Sequence, residues 1–575
     1  MKSIMRKSVV ASLALVSMAA CIDDKYDLSD IDTTARISVD NLIIPLNLDE
    51  IKLESVIDTT DQIKVVDGVY AYVTDGTFDS DPIHVNKVSI EDQNINSATM
   101  VLSVVGQPGI GVDVSYEISS QRPSEYKYEA TNVPDEIHSL SAIRANTHLS
   151  AHIDITDLAP VANAVMFENV KLQMPKNLMF DHSVPAGKYD AATGLFTLDP
   201  LRVSTSGITD VMLYFSGMNL VPADFDVKMR MLHVTGSLSI VDGDFTIKAS
   251  DFKPGASFVQ NAHLEVSYQV PGFDVDSFDG EIEYDVEMND IPSVDLDDIP
   301  DFLNQEGTNL VIKNPQLYLH ANNPVQQLGL YAQTGFVLTA ERDGEPSKTF
   351  SINDSFFTIG KGAGTDNKEF NFCLAPELPK HPDAEYPNPQ FVQFTDLSNV
   401  LAGNGLPKVL NVELENTKIP LQTVKNFALN VDYPEVHGRY KMIAPFDLGV
   451  GSHILYTDTV DGWNDEDFDK LTITNMEVSM FVTTNVPVSV RFTGYPVDAN
   501  GNRIKGVEIE DAQIDANAQN QKVVIRVSGE IRHLDGLVFS AEATASGDGE
   551  PLGPNLSIKL TEVRPKVAGY YEDEF

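Results

Sequence analysis

Residues 281–288 read EIEYDVEM, in which every second residue is apolar and each residue between them is acidic. Side chains of an extended strand point alternately to its two faces, so this segment has one apolar and one charged face. Polar and apolar residues also alternate over residues 112–118 and 488–492. These segments are predicted to be half-buried antiparallel strands, and most of the chain is expected to consist of such strands.

Turn signals separate the predicted strands. The 31 prolines and 36 glycines are spread along the chain, as expected where many strands are joined by turns. Helical periodicity is confined to three short segments, residues 48–57, 392–401 and 424–429, none of which is long enough to organise a domain. The dipeptides that predict tight turns are Asp67-Gly68, Asp75-Gly76, Asp242-Gly243 and Asn500-Gly501, the last of them typical of a type I′ hairpin.

A weak internal repeat places an Asn between two pairs of alternating apolar residues. The pattern occurs over residues 165–174, 310–319 and 471–480, and a second set covers residues 412–421 and, imperfectly, 257–266. The alternation is reset by one residue at the Asn, which predicts a β-bulge or tight bend where Asn adopts the left-handed conformation. If the repeat reflects duplication, three sandwich modules follow an N-terminal one.

The first 21 residues, MKSIMRKSVVASLALVSMAAC, have the features of a lipoprotein signal peptide. A basic start is followed by an apolar run over residues 8–18 that is too short to span a bilayer, and then by small residues before Cys21. We expect cleavage before Cys21, whose thiol receives a diacylglyceryl group. Two or three acyl chains, such as palmitate, would then anchor the mature chain in the membrane.

The predicted fold class is mainly β: tandem antiparallel β-sandwich modules with few short helices, after a cleaved lipoprotein signal peptide. A chain of 575 residues is too long for one hydrophobic core and predicts three to five domains. The predicted division is a signal peptide at 1–20, a lipidated acidic tether at 21–40, an N-terminal β-rich domain at 41–155, β-sandwich modules at 156–296 and 297–460, and a C-terminal β-sandwich module at 461–575.

Three N-terminal segments resemble uncharacterised cell-surface lipoproteins of Bacteroidetes: CIDDKYDLSDIDTT from Cys21, VDNLIIPLNLDEIKLESVID over 39–58, and IKVVDGVYAYVTDGTFDSDPIHV over 63–85. In that group, acidic residues directly behind the lipidated cysteine, here Asp23 and Asp24, are similar to the signal for export to the outer face of the outer membrane. The resemblance implies a lipid-anchored location facing the cell exterior, and it implies no activity.

The charge balance of the chain restricts its partners. A formal net charge of −45 disfavours binding to nucleic acid and to anionic head groups, so membrane contact is expected through the acyl chains alone. Hydrophobic content of 42% and charged content of 22% are those of a folded protein rather than a disordered one.

Enzyme motifs are missing from the sequence. The only cysteine besides Cys21 is Cys373, which lies in an apolar segment and is expected to be a buried structural thiol. The chain contains no Gly-x-Ser-x-Gly elbow and no His-Glu-x-x-His run, and the glycines of residues 360–364 lack the spacing of a phosphate loop. His148 and His152 are spaced to share one face of an element, but they lack a convincing third metal ligand. We therefore expect no catalytic function; the remaining enzymatic alternative is a glycoside hydrolase, whose paired carboxylates need only be close in space and leave no sequence motif.

The acidic segment 461–469 is the strongest candidate for a binding site. Asp461, Asp465, Asp467 and Asp469 could supply oxygen ligands to calcium, although the spacing is not that of an EF-hand. Trp463, the only tryptophan, could stack on a sugar ring while Asn464 and Asp465 bind its hydroxyl groups, or it could anchor the loop inward.

Further candidates for the same two roles lie elsewhere in the chain. A second acidic group, Asp274, Asp276 and Asp279, is a weaker calcium candidate. Tyr126 and Tyr128 could form a second sugar platform, unless they only pack across strands.

The sequence predicts a surface-exposed outer-membrane lipoprotein that serves as a non-catalytic binding or adhesion scaffold for a glycan or protein ligand. One alternative is a carbohydrate-binding accessory protein of a polysaccharide-uptake system. Another is a pilus-like or assembly component that pairs its edge strands with a partner. No cofactor other than calcium is suggested.

Overall fold

The computed structural model describes residues 34–43, 50–55, 57–102, 111–119, 122–180, 186–256, 262–296, 303, 305–360, 369–462, 471–545, 547 and 550–574. Within them the chain forms forty strands, one α-helix and five 3₁₀ helices. The helices are α1 (Leu397–Leu401) and the 3₁₀ segments Leu53–Ser55, Thr156–Leu158, Pro222–Asp224, Ala249–Asp251 and Gln326–Leu328.

The first twenty strands are β1 (Thr34–Ile43), β2 (Ile51–Lys52), β3 (Ile63–Val66), β4 (Val69–Asp79), β5 (Ser89–Ile90), β6 (Gln93–Leu102), β7 (Val114–Ile118), β8 (Ser124–Ala130), β9 (Ile137–Asp154), β10 (Ala164–Gln173), β11 (Leu178–Met179), β12 (Gly187–Asp190), β13 (Leu195–Leu198), β14 (Leu201–Ser204), β15 (Thr209–Asn219), β16 (Phe225–Asp226), β17 (Met231–Ile247), β18 (Ala262–Val270), β19 (Phe273–Asp274) and β20 (Ser277–Asp285).

The other twenty are β21 (Val294–Asp295), β22 (Asn309–Leu310), β23 (Gln316–Asn322), β24 (Ala332–Glu341), β25 (Lys348–Ile359), β26 (Glu369–Ala375), β27 (Gln390–Gln393), β28 (Gly403–Asn404), β29 (Val409–Ala428), β30 (His437–Pro445), β31 (Asp447–Leu448), β32 (His453–Val460), β33 (Leu471–Thr484), β34 (Val488–Val497), β35 (Glu508–Ile509), β36 (Ala512–Ile514), β37 (Gln521–Ile531), β38 (Gly536–Ala545), β39 (Glu550–Pro551) and β40 (Ser557–Glu574).

A ten-stranded sheet forms the centre of the molecule, in the order β11-β15-β9-β20-β29-β24-β25 with β18, β6 and β21 attached. One part of it shares a large core with an eight-stranded sheet built around β10 and β17; Leu213 and Leu264 of the first sheet and Phe167 and Ile240 of the second belong to this core. Strand β20, which contains residues 281–285 of the alternating segment, pairs with β9 and β29, buries Ile282 and exposes Asp285. The predicted half-buried antiparallel strand is therefore confirmed.

The other part of the ten-stranded sheet packs on the middle sheet, our name for the six strands β27-β26-β23-β30-β4-β3. Phe336 and Phe357 of the first sheet meet Leu319 and Phe372 of the middle sheet in a second core. All strand pairs of these two sheets are antiparallel except β26 and β27. The mainly β class with antiparallel sandwiches and one short α-helix among the described residues is thus confirmed.

A C-terminal sandwich contains two further six-stranded sheets. The terminal sheet has the order β1-β40-β33-β37-β35, with β2 also paired to β40, and the cleft sheet has the order β28-β22-β32-β38-β34-β36. In the terminal sheet the two ends of the described chain meet, since Thr34 lies opposite Glu574. The tether predicted over residues 21–40 therefore overlaps strand β1 at residues 34–40.

Hydrogen-bonded sheets cross the predicted segment boundaries near 155, 296 and 460. The ten-stranded sheet takes strands from residue 93 to residue 428, and β4 lies beside β30, more than 350 residues later in the chain. The exact boundaries of folding units stay predictions, while the sheets themselves join distant parts of the chain.

The predicted Asn bulges occur at two of the repeat positions. Asn169 has φ 56° and Asn416 has φ 51°, and at both sites two residues of one strand face one residue of its neighbour. At Asn475 the register also shifts, but the residue is not left-handed. Asn314 lies between β22 and β23, and Asn261 lies outside the described residues.

Several local predictions are corrected. Residues 424–429, predicted as helical, belong mostly to strand β29, and residues 48–57 contain β2 and one 3₁₀ turn rather than an α-helix. Asp67-Gly68 is a two-residue hairpin turn with both φ angles positive, as predicted. Asn500-Gly501 is part of a longer loop over 498–502, because only Gly501 has positive φ.

Candidate functional site

Most residues of the predicted site lie outside the described residues. These are Cys21 of the lipidation site, Trp463 and Asn464 of the glycan site, and Asp465, Asp467 and Asp469, which were assigned to calcium. Asp461 is described and lies, exposed, directly after β32. The glycan, calcium and lipidation assignments therefore stay predictions.

The described residues that flank this loop fix where it leaves the sandwich. Leu471, the first residue of β33, lies opposite Tyr571, and Tyr571 lies opposite Ile37 of β1. Leu471, where β33 begins, therefore lies at the same end of the terminal sheet as Thr34.

An apolar cleft with a volume of about 230 Å³ lies at the opposite end of the C-terminal sandwich. We call it the C-terminal cleft. Four separated parts of the chain form it: residues 51–53 with 57, residues 448–456, residues 486–490, and residues 541–543 with 552–558. Its lining residues are Ile51, Lys52, Leu53, Ile57, Leu448, Ile454, Tyr456, Val486, Val488, Val490, Ala541, Ala543, Leu552, Leu556, Ser557 and Ile558.

The cleft exists because small side chains face inward at this position. Along β38, Ala541 and Ala543 both line it, and their cross-strand neighbours are Tyr456 and Ile454 of β32. Ala541, Ala543 and Tyr456 remain partly exposed, so the cleft opens to solvent. By contrast, the void in the core between the eight- and ten-stranded sheets measures only about 30 Å³.

Few polar groups reach the cleft, and those that do have partners. The Tyr456 hydroxyl donates to Asp458 Oδ2 at 2.9 Å, and the Ser557 hydroxyl donates to Glu50 Oε1 at 2.5 Å. Lys52 is the only charged lining residue, and its Nζ lies 3.2 Å from Glu54 Oε1. Both of these side chains are more than half exposed, so their ion pair contributes little and leaves Lys52 able to meet a ligand.

The sequence contained little signal for this site. Its apolar residues alternate as in any core strand, and only a pairing between distant segments brings them together. A usable sign was the run of inward alanines in β38, at 541, 543 and 545, which leaves space between two sheets.

Cys373 is buried, as predicted, and it is the only cysteine within the described part of the chain. Burial raises the pKa of its thiol to about 11, so the thiol is protonated at neutral pH and unsuited to nucleophilic attack. It packs with Tyr318 and Tyr386 in a small cluster on the middle sheet. Its role is structural.

The weaker sequence candidates are separated by the structure. His152 Nδ1 lies 2.6 Å from Asp210, whereas the His148 ring packs on Tyr214, so the two histidines have different partners. Tyr126 and Tyr128 are buried, which rules out an exposed sugar platform and supports the alternative that they only pack across strands.

The acidic group near β20 is held by neighbouring strands. Asp279 accepts two hydrogen bonds of 2.7 Å from the Arg144 guanidinium, while Asp274 is bound by Lys87 and Ser89. The Arg144 contact holds the pKa of Asp279 below its usual range. Among the described residues, no three His, Cys, Asp or Glu side chains are grouped so that they could hold a metal ion.

Comparison with known proteins gives no family. No protein-family model matches the chain, and no curated protein matches it. A protein of Parabacteroides distasonis, described as a candidate secreted protein, is 14% identical, with a TM-score of 0.35 over 51% of this chain and 89% of that one. A protein of Sulfolobus Turreted Icosahedral Virus is 8% identical, with a TM-score of 0.11 over 79% of this chain and 84% of that one. Similarity this low establishes neither a shared fold nor a function.

Within the described residues, no helix has the length and apolar composition needed to cross a bilayer.

Proposed function

We propose that the chain is a surface-exposed outer-membrane lipoprotein that acts as a non-catalytic binding scaffold and holds its ligand in the C-terminal cleft. The observation that carries the binding role is the cleft itself, a recessed apolar site of about 230 Å³ at a junction between sheets, whereas the location rests on the signal-peptide features that end at Cys21. Concave, mostly apolar sites of this kind are where proteins bind small molecules, and they favour positions between domains.

The composition of the cleft supports binding rather than catalysis. Of its sixteen lining residues, only Lys52, Tyr456 and Ser557 have polar ends. General acid–base catalysis needs a titratable group within reach of the substrate and with a pKa near the operating pH, and nucleophilic catalysis needs an activating base beside the nucleophile. The Ser557 hydroxyl donates to the exposed Glu50 carboxylate and has no histidine partner.

The strand order supports an orientation for the proposed scaffold. Twelve residues separate Cys21 from Thr34, so the tether spans thirteen Cα–Cα steps and at most about 45 Å. The cleft lies near Ile558 at one end of β40, and Thr34 lies opposite Glu574 at its other end. The distance along β40 between these two ends is about 50 Å. A chain anchored at Cys21 would therefore enter the terminal sheet at the end of β40 opposite the cleft.

A thermal-shift experiment tests the binding role. We expect benzene or n-octanol, used as probes, to raise the unfolding midpoint of the purified lipid-free chain, because a ligand that binds only the folded state stabilises it. Ala543→Leu narrows the cleft and should abolish most of the shift. Thr544→Leu, on the exposed opposite face of the same strand, is the matched control and should keep it. No shift with any probe, or an equal shift in Ala543→Leu, would overturn the proposal.

Protease treatment of intact cells tests the location. Surface display predicts that the wild-type chain is degraded without cell lysis and that Cys21→Ala releases the chain from the membrane fraction. Protection of the wild-type chain in intact cells would contradict display on the exterior.

Strand addition is the second candidate function, and one feature favours it. Strand β1 is an edge of the terminal sheet and exposes Ile37, Leu42 and Ile43 at 44%, 46% and 55%. Exposed apolar edge strands are natural templates for pairing with another chain. If β1 pairs with a second copy of the chain or with a partner protein, light scattering should show a stoichiometric complex that is lost in Ser38→Pro. A chain that stays monomeric at all concentrations and forms no complex with a partner would argue against strand addition.

A further inference from the structure

We propose that the C-terminal cleft binds the alkyl chain of a medium-length aliphatic carboxylate, with the carboxylate beside Lys52. This assignment rests on the proposed binding role of the cleft, and it names the chemical class of the ligand.

The lining favours an aliphatic ligand over a sugar. Thirteen of the sixteen lining residues are Ile, Leu, Val or Ala, and Tyr456 is the only aromatic one. Sugar recognition requires flat aromatic faces and polar groups for the hydroxyls, and here the polar ends of Tyr456 and Ser557 already donate to Asp458 and Glu50. An alkyl chain needs no hydrogen-bond partner and would lose only unfavourable contact with water.

The volume sets the length of the chain. An engineered apolar cavity of about 150 Å³ is known to hold benzene, with its six carbons. Scaled to about 230 Å³, the cleft would take roughly nine carbons, so the ligand should lie between a hexanoate and a decanoate in length. Longer chains would extend into solvent and gain nothing further.

The head group follows from charge. Lys52 is the only charged residue of the lining and is 56% exposed at the side chain, so it can meet an anion that lies at the mouth. Glu54 at 3.2 Å, and Glu50 and Asp458 beside the two hydroxyls, oppose an anion. The preference for a carboxylate over a neutral head group should therefore be small, about two- to fivefold, as for other exposed ion pairs.

Calorimetric titration with a homologous series tests the inference. Butanoate, hexanoate, octanoate, decanoate and dodecanoate should bind with affinities that rise about fourfold per methylene and then level off near nine carbons. Lys52→Met should weaken octanoate binding about two- to fivefold and leave octanol unchanged. Glu54→Gln should strengthen octanoate binding about twofold.

Two controls separate the possible outcomes. Ala543→Leu should weaken octanoate by about tenfold or more, whereas Thr544→Leu should not. The carboxylate assignment is overturned if octanol binds and octanoate does not, or if Lys52→Met changes the affinity for neither ligand. In both cases the proposed binding role of the cleft is retained. An affinity that rises without levelling off through dodecanoate would show that the alkyl chain does not fill this cleft. If neither ligand binds, the proposed function fails together with this inference.

Discussion

Replacing Asn416 by Ala isolates the cost of a left-handed backbone in this fold. Asn416 has φ 51° within β29, and it is exposed, so its substitution removes little packing. Together with Thr417 it faces the single residue Thr334 of β24, which makes it part of a bulge. Asn tolerates this conformation better than other residues with a β-carbon, and Gly adopts it freely.

The expected magnitude follows from that conformation. The left-handed region costs a typical L-residue about 1–2 kcal/mol, so Asn416→Ala should lower the free energy of unfolding by about 1 kcal/mol. Asn416→Gly should be close to the wild type, because the relief of strain offsets the larger entropy of Gly in the unfolded chain. Asn475→Ala is the matched control: the residue occupies the same place in the repeat, is exposed and is not left-handed, so its effect should stay within about 0.5 kcal/mol.

Differential scanning fluorimetry and urea unfolding can measure these differences side by side. A loss of about 1 kcal/mol corresponds to a fall of about 2–4 °C in the midpoint of a cooperative unit of 150–250 residues. The reasoning is refuted if Asn416→Gly is as destabilising as Asn416→Ala, or if Asn475→Ala costs as much as either. In both cases the side chain or the sequence position, rather than the backbone angle, would be responsible.

Three further predictions concern charge, reactivity and close packing. Asp279→Asn should lower the free energy of unfolding at pH 7 by about 1–2 kcal/mol through loss of the Arg144 contact. Because the folded-state pKa of Asp279 is lowered, this difference between wild type and variant should be complete above about pH 4 and should vanish in acid. Urea titrations at several pH values measure it. Cys373 should resist a thiol reagent in the folded protein and react on unfolding, and fast reaction without unfolding would contradict its burial. Gly280→Ala places a β-carbon 1.9 Å from a carbonyl oxygen of the neighbouring strand and should prevent normal folding, whereas Gly207→Ala, with open space around it, should have a normal midpoint and circular dichroism.

The local character of the strands was predictable from the sequence, because burial on one face dictates alternation. Residues 281–288 and 488–492 fall in or beside strands β20 and β34, as their patterns indicated. Asn169 and Asn416 were also predicted as bulges, since a reset of the alternation must be matched by an extra residue in one strand.

The Asp-Gly pairs show where local reasoning fails. Asp75-Gly76 and Asp242-Gly243 were predicted as turns, but they lie inside β4 and β17. A β-carbon on Gly76 would lie 2.6 Å from the ring of Tyr440, and one on Gly243 would lie 2.8 Å from the Cα of Val170. These glycines allow close approach across strands rather than a reversal of the chain. Only the tertiary partner distinguishes the two uses.

The pairing of strands could not be predicted from the sequence for a related physical reason. Alternation indicates which face of a strand is buried, but it does not indicate which strand lies beside it. The pairing of Thr34 with Glu574 joins residues from the two ends of the described chain, so no local pattern indicates it. The same holds for the cleft, because four separated segments line it. Ala541 and Ala543 read as ordinary core residues until Tyr456 and Ile454 are placed opposite them. A binding site formed by missing side-chain volume leaves at most the alternate alanines of β38 as a sign, whereas the acidic and aromatic residues of 461–469 have side chains of recognisable ligand-binding types.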